Sequence, residues 1–561
     1  MHLRFNVLGR AAFFGALFGA VLAVGYNAAA DETSTGDKLR ILYSNRFTFT
    51  STGVPLVTIE LASHRNTIEL SSKGGMVVMP DGEGGPTMRA GSSWRIRLTN
   101  AKRAVIREWT VVARLTADDH VGASAAIKKW RRRGYKPQQF EIGTVFGIEG
   151  EVIDSRELLI GVSPVRAPHG RRRERRIARK YNVKTSVYPQ LVKRPAGTVI
   201  ATNGAVTITN PSVIWFAAAK RNGTLTLHNV TVGGGGSQLR TSHTNRRYFG
   251  MICVTVGTDG KLVAVNAVPA DKLLAGLVPA EIFPVAPYPA LEAQAIAART
   301  ELLQKIGTRH YTDPYLLCSN QHCQVYSGAG HEHPRTTRAV HNTRGQVLLR
   351  GTGGLVDARY SAACGGYSEH NEKIWGGAPD PALRGHIDAP RGGRAARQFA
   401  HGINERNLDA FLALPGKYTY CGSTRYAKNR YRWTKRIGAD ALSRRVAAKH
   451  PGVGRVVAIE PLKRGVSGRV IRARIRGSQR TIVVTGDVHM RRLFGGLRST
   501  LFKVTTVGDA SRPSAFVFRG AGFGHGVGMC QIGAIGMAKK GNSYSAILQH
   551  YYVGSRLRRL Y

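Results

Sequence analysis

From Gly520 to Gly528 every second residue is glycine, and the alternation surrounds one histidine: Phe518-Arg-Gly-Ala-Gly-Phe-Gly-His-Gly-Val-Gly-Met-Cys-Gln-Ile-Gly-Ala-Ile-Gly-Met-Ala538. Glycine tolerates positive φ and lets another group approach the main chain, so this tail predicts a tightly shaped wall against which a ligand or another stretch of backbone lies close. A phosphate-binding loop is the rival reading. It is disfavoured because the segment has neither Gly-x-x-x-x-Gly-Lys-Ser/Thr nor Gly-x-Gly-x-x-Gly, and no strand with a later acidic residue frames it as a nucleotide unit. From Gln531 to Lys540 the pattern predicts a helix whose Gly533, Ala534, Gly536 and Ala538 allow close packing, ending at Gly541.

The other end of the chain sets the compartment. Arg4 and Arg10, an apolar run from Ala11 to Val24, and Ala28-Ala-Ala30 before Asp31 follow the order of a secretory signal peptide, so residues 1–30 are expected to be removed on export. No later stretch reaches the length of a membrane span, and the mature chain is expected to be soluble outside the cytoplasm. The remaining sequence is long enough for roughly three or four domains. Its formal net charge of +48 draws it to polyanions. Outside the cytoplasm these are wall polymers, anionic lipid surfaces and acidic peptide stems, and nucleic acid is an unlikely partner. The densest basic runs, Lys128-Lys-Trp-Arg-Arg-Arg133 and Arg171-Arg-Arg-Glu-Arg-Arg176, suit any of these or are simply solvated faces.

The expected fold class is α+β, with a β-rich N-terminal region followed by a mixed α/β domain. Short alternating strands predict a β-rich domain over 38–112 and a β-α-β unit over 109–160. In that unit the Trp130…Gly134-Tyr135 pairing resembles SPOR repeats, which bind peptidoglycan glycan. Residues 161–236 are basic and turn-rich and are expected to form a linker with further β-strand, ending in a flexible Gly233–Gly236 joint. The last domain is expected over 246–561. Its helix opens near Pro289 and stops at Gly307, with Leu291, Ala295, Ala298, Leu302 and Ile306 on one stripe and Arg299 at its edge, where a partly buried cation needs a partner.

Glu281 stands out among the carboxylates. Leu277, Val278, Ile282 and Phe283 surround it with apolar groups in a proline-punctuated loop, and desolvation there raises a carboxyl pKa towards the range of a general acid. His310, Cys318, His322 and Cys323 form a compact set of two nitrogens and two sulfurs suited to a closed, structural zinc site; a Cys318–Cys323 disulfide or two thiols are the alternatives. Six cysteines in an oxidising compartment allow up to three disulfides. His331-Glu-His333 is too short for a zinc-protease motif and leaves Glu332 as a reserve acid. Cys364 beside Gly365-Gly366 lacks any local signature of a Cys/His hydrolase.

The chain resembles the SpoIID/LytB family of cell-wall proteins, known from sporulation and as amidase enhancers. The matching motifs are Val278-Pro-Ala-Glu281, Ala293-Gln-Ala-Ile-Ala-Ala-Arg-Thr300, Gln324-Val-Tyr-Ser-Gly328, Ala339-Val with Thr343-Arg-Gly345, Tyr360-Ser-Ala-Ala-Cys-Gly-Gly366, and the glycine tail with His550-Tyr-Tyr552. The resemblance implies a lytic transglycosylase that cuts between N-acetylmuramic acid and N-acetylglucosamine in denuded glycan strands, with Glu281 as its single acid and base. Hydrolysis with Glu332 as a second carboxylate is the minor variant. The alternative is a non-catalytic, peptidoglycan-binding amidase enhancer with a cell-wall amidase as partner. Arg299, Tyr326, Ser361, Gly365, Gly366, His525, Gln531 and Tyr551 lie in these motifs and are the expected substrate contacts. Some family members carry a zinc after the catalytic helix, which supports the same ligand set, His310 least because its spacing differs. The chain departs from the family in reading Ala280-Glu-Ile-Phe283 after Val-Pro, and in an elaborate stretch over 392–468.

Overall fold

A computed structural model describes residues 42–43, 48–50, 52–80, 87–89, 91–148, 151–220, 222–233, 241–320, 323, 326–351 and 353–561. The expected signal peptide and His322 lie outside the described residues. Among the described residues no helix is long and apolar enough to cross a membrane. The fold is α+β, as the strand-rich first half and later helices predict.

Strands from both ends of the N-terminal half join in one sheet, ordered Thr48–Phe49, Pro55–Arg65, Leu262–Pro269, Met251–Val256, Val213–Ala218, Met76–Met79, Met88–Arg89. All of these pair antiparallel, while Leu317–Cys318 adds to Pro55–Arg65 in parallel. The expected divide near residue 246 therefore cuts through a sheet. Alternating apolar residues of these strands, such as Val57 and Ile59, share one core with Leu273, Leu277, Leu291, Ile296, Ile532 and Tyr551 from the helices. A second sheet runs Thr207–Pro211, Ala196–Thr202, Ser93–Lys102, Thr67–Ser71, Leu225–Gly233, Thr241–Tyr248. In it Gly233 pairs with Thr241, so the strands on either side of the glycine run are neighbours in one sheet; residues 234–240 lie outside the described residues.

The β-α-β unit is longer than its sequence pattern suggests. Val105–Thr116, His120–Arg132, Gln138–Ile142, Glu157–Arg166, Gly170–Tyr181 and Ser186–Lys193 form a β-α-β-β-α-β unit whose sheet is ordered last, first, third, second. The stretch expected as a basic linker is its second half: Ile177 buries one face of a helix while Arg171, Arg172, Arg175, Arg176 and Arg179 stay exposed. Along Glu157–Arg166, Leu158, Ile160 and Val162 face the helices and Leu159 the opposite side. Trp130 packs edge-on against Tyr135 and Tyr181, with Arg133 over both Trp130 and Tyr181. The unit hangs from the tip of a hairpin, because its flanking strands Ser93–Lys102 and Ala196–Thr202 pair with each other.

The C-terminal half also holds an insertion. Two three-stranded sheets, Arg432–Gly438 with Pro513–Ala521 and Phe502–Gly508, and Val456–Arg464 with Val470–Gly477 and Thr481–Thr485, enclose their own core of Leu442, Ile475, Phe494, Phe502, Phe516 and Phe518. After it the chain returns to the scaffold: Met529–Cys530 pairs in parallel with Tyr360–Ser361 and leads into the tail helix Gln531–Lys539.

Because residues 105–193 leave and rejoin one hairpin, replacing them with a short turn is expected to keep the remainder folded, and the excised unit to melt cooperatively by itself. Circular dichroism melts of both pieces check this; a remainder without a cooperative transition contradicts it.

Candidate functional site

The site is organised by the helix Tyr288–Lys305, which starts with Pro289 in its first turn and is buried on nearly every side. The one-sided stripe expected from the sequence covers only part of what is buried, because other helices and the tail close over the remaining faces. Small residues such as Ala293, Ala295 and Ala297 make that approach possible. Its polar side chains then require partners within the protein. Gln294 accepts from Gln531 Nε2 at 3.1 Å. Glu301 pairs with Lys305 at 2.7 Å, and Lys305 Nζ also donates to the carbonyl of Cys323. Arg299 donates to the carbonyls of Gln346 and Val340 and meets Asp271 at 3.3 Å.

Glu281 is the last residue of the helix Ala270–Glu281. The segment expected as a loop is thus a helical end, with Pro279 accommodated inside it. Burial raises the Glu281 carboxyl to about 7, assisted by the neighbouring Glu301 carboxylate and opposed by Lys305. The backbone is held as well: Gln531 Nε2 donates to the Glu281 carbonyl at 2.8 Å. The tail therefore reaches the acid across 250 residues of sequence.

Two partly exposed aromatic surfaces flank this acid. Phe283 is 37% exposed and stacks on Tyr426 with centroids 4.8 Å apart. On the Glu301 side, Arg359 Nη1 lies 3.7 Å from Glu301, its guanidinium sits over Trp375, and Trp375 packs against His525. Trp375 is 50% exposed and its role was missed in the sequence, where nothing in its neighbourhood distinguishes it from a structural tryptophan. Glu301 and Lys305 were missed too, although polar residues interrupting an alanine-rich helix are a readable signal.

The expected substrate contacts separate into groups. Arg299, Tyr326 and Tyr551 are essentially without exposed surface; they fasten the core, Tyr326 to Asn266 and Tyr551 to Asp388. Gln531 is nearly buried and acts on Glu281 itself. Ser361 is nearly buried, with its hydroxyl unpartnered. Gly365 and Gly366 adopt positive φ and press against Gly522 and Thr419 respectively. His525 is half-buried beside Trp375, and burial with Arg359 and Arg469 nearby pushes it down to about 3, leaving a neutral ring. The glycines of the alternation let protein groups come close: a Cβ at Gly526 would lie 2.2 Å from the Arg469 guanidinium, and one at Gly528 2.0 Å from the Arg359 carbonyl. Glu332, the reserve acid, faces Lys272 and Arg247. Lys272 is in the first turn of the helix that Glu281 ends, roughly 13 Å away along its axis.

Two clusters have metal-ligand chemistry. The donor atoms of His310, Cys318 and Cys323 lie within 4.8 Å of one another. Asp313 holds His310 Nδ1 at 2.9 Å, so that Nε2 faces Cys323 Sγ at 3.1 Å, the arrangement in which a second carboxylate orients a ligating imidazole. The second cluster joins Cys364, Asp388, Cys421 and Cys530, all fully buried. None of the six cysteines is placed in a disulfide.

Residues 258–349, which contain Glu281 and the central helix, match the family described as Stage II sporulation protein (SpoIID). This match and the named relatives support the SpoIID/LytB resemblance. Residues 369–528, the insertion, match a domain of unknown function, DUF8618. The "Amidase enhancer" of Bacillus subtilis (strain 168) is 29% identical over 307 residues, covering 51% of this chain and 40% of that protein. An uncharacterized protein of Brachyspira hyodysenteriae (strain ATCC 49526 / WA1) is 26% identical over 55% of this chain and 71% of its own length. "Stage II sporulation protein D" of Bacillus amyloliquefaciens is 27% identical over 52% of this chain and 74% of its own length. The SpoIID/LytB match thus falls on the Glu281 helix and the helix beneath it, and the DUF8618 match on the part that the sequence shows as an elaboration.

A raised carboxyl has a consequence for stability. The folded SpoIID-like domain retains a proton on Glu281 that the unfolded chain, with an ordinary value of 4.5, gives up earlier, so folding is disfavoured progressively as pH rises from about 4.5 to about 7. Glu281→Gln has no such proton to lose. It is expected to be more stable than the parent by on the order of 3 kcal/mol at about pH 8, with the gap closing below about pH 5, in denaturant titrations at both pH values.

Proposed function

We propose that this chain is an exported lytic transglycosylase that cleaves denuded peptidoglycan glycan with Glu281 as its only acid and base. The observation that carries this reading is the single carboxyl at Glu281, raised to about 7, so that roughly half of it is protonated at neutral pH. Protonated Glu281 donates to the glycosidic oxygen as the bond from C1 of the muramoyl residue breaks. The C6 hydroxyl of the same sugar then bonds to C1 and returns its proton to Glu281. A 1,6-anhydro end and a new hydroxyl result, and no water is consumed. Hydrolysis would need a second carboxylate on the opposite face; Glu301, which acts on Glu281, is engaged by Lys305, and Glu332 is the reserve for that minor variant. Trp375 and the Phe283–Tyr426 stack are suited to receive sugar faces on either side.

Zinc fits the His310, Cys318 and Cys323 cluster; His322, the fourth ligand expected from the sequence, lies outside the described residues. The ion would supply structural closure of the loop after the central helix, near the carbonyl that Lys305 binds. An extracytoplasmic, cell-wall role is supported by the SpoIID match and the names of the relatives.

A second reading, a peptidoglycan-binding amidase enhancer without chemistry of its own, is favoured by the exposed arginine face on Gly170–Tyr181 and by the relative of that name. Digestion of denuded glycan separates the two. The parent should release anhydro-ended fragments, and Glu281→Gln should slow release by at least about a hundredfold while still binding glycan. Release by neither protein, with equal binding, supports the enhancer; equal release by both removes Glu281 from the chemistry. The rate should fall on the alkaline side around the Glu281 value of about 7. Glu301→Gln, which removes the adjacent negative charge, should move that limb to lower pH, and Trp375→Ala should raise KM several-fold with kcat retained.

A further inference from the structure

Three cysteines that are far apart in the chain meet in one buried place that the proposed chemistry does not use. Cys364 follows the short strand Tyr360–Ser361, Cys421 lies in a turn of the inserted domain, and Cys530 precedes the tail helix. Their sulfurs and a carboxylate oxygen of Asp388 all lie within 4.8 Å of one another, and none of the four residues has exposed surface. Tetrahedral coordination by thiolates at about 2.3 Å sets sulfur atoms roughly 3.8 Å apart, which this cluster accommodates.

The surroundings are those of charged sulfur. Cys364 N donates to Cys530 Sγ at 3.1 Å, Gly533 N to Cys530 Sγ at 3.2 Å, and Gly366 N to Cys364 Sγ at 3.3 Å. Asp388 is oriented from behind, Tyr551 donating to Oδ1 at 2.8 Å while Oδ2 accepts from Cys421 N at 3.0 Å and faces Cys364 Sγ at 3.2 Å. Two buried guanidiniums lean on the same loop, Arg432 on the Gly365 carbonyl and Arg469 on the Cys364 carbonyl, and add the positive field that an anionic thiolate centre requires. The glycines answer to this crowding: a Cβ at Gly533 would lie 2.6 Å from Asp388 Oδ2, and one at Gly365 2.6 Å from Gly522 N. Three neighbouring thiols cannot all be satisfied by disulfides, whereas soft thiolate ligands in a closed, dry pocket select zinc.

We propose that Cys364, Cys421, Cys530 and Asp388 hold a structural zinc ion that fastens the inserted domain to the SpoIID scaffold and seats the tail helix against Glu281. Asp388 and Cys421 belong to the segment 369–528, while Cys364 and Cys530 flank it, so the ion ties both ends of the insertion to its interior. Cys530 is followed at once by Gln531, whose amide holds the Glu281 carbonyl. This centre is separate from the one at His310, Cys318 and Cys323, and it does not depend on glycan cleavage.

The test is zinc content of the full chain carrying Cys318→Ser and Cys323→Ser, loaded with zinc, desalted and measured by elemental analysis. One equivalent is expected to remain, and adding Cys421→Ser should remove it. Cobalt(II) loaded in place of zinc should give the sulfur-to-metal charge-transfer absorption and intense visible bands of a tetrahedral thiolate site. Should the triple variant fail to fold, native mass spectrometry of the parent chain decides, with two zinc ions per chain expected. No zinc in the Cys318→Ser, Cys323→Ser chain overturns the proposal. So does a parent chain whose intact mass is lowered by the two hydrogens of a disulfide among Cys364, Cys421 and Cys530.

Discussion

The burial of the helix Tyr288–Lys305 is the constraint on which the rest depends. A helix closed in on nearly every side cannot leave Gln294, Arg299, Glu301 or Lys305 to water, so each draws a partner from a different part of the chain. Arg299 collects Asp271 and two carbonyls, Lys305 joins Glu301 to the Cys323 segment, and Gln294 recruits Gln531 from the tail. The same interactions that satisfy the helix therefore assemble the surroundings of Glu281. Burial, and secondarily Glu301, kept in place by Lys305 and Arg359, raise the Glu281 carboxyl. Removing a partner here is expected to cost more than packing alone, because it leaves a charge buried and unpaired.

The two insertions are attached to this scaffold in different ways. The β-α-β-β-α-β unit enters and leaves through one hairpin and has its own small cores, but Phe146 and Ile153 join the scaffold's core, and Tyr188 against Tyr311 and Gly143 N on the Gly307 carbonyl add contacts back to it. The domain over 369–528 is more deeply engaged. Its strand Pro513–Ala521 runs directly into the glycine turns, Arg469 threads beneath Gly526, and Cys421 reaches the scaffold's cysteines. Movement of that domain would disturb Cys530, and with it the neighbouring glutamine that holds Glu281.

Much of the site was legible because local sequence carries local physics. Apolar neighbours and prolines around Glu281 announce a desolvated carboxyl, and the start of the central helix follows from Pro289 and the alanine run. The less legible parts are those in which a residue's job is defined by something distant. Gly526 announces a close approach without naming the group, which is the Arg469 guanidinium, and Arg299 and Tyr551 read as substrate contacts although they are buried against Asp271 and Asp388. Residues 161–193 look like a linker because arginines conceal an amphipathic helix anchored by Ile177 and Tyr181 within a basic run.

The sequence by itself determined the α+β class, the SpoIID resemblance of the segment that holds Glu281, and the closeness of His310, Cys318 and Cys323, because strand alternation, helix periodicity and short ligand spacing act over a few residues. Only the tertiary structure decided which polar groups are buried together. It brought Gln531 to Glu281, and it gathered Cys364, Asp388, Cys421 and Cys530 into one pocket. The physical reason is that burial and coordination depend on distance in space, and segments 166 residues apart, such as Cys364 and Cys530, reveal their contact only when the chain closes.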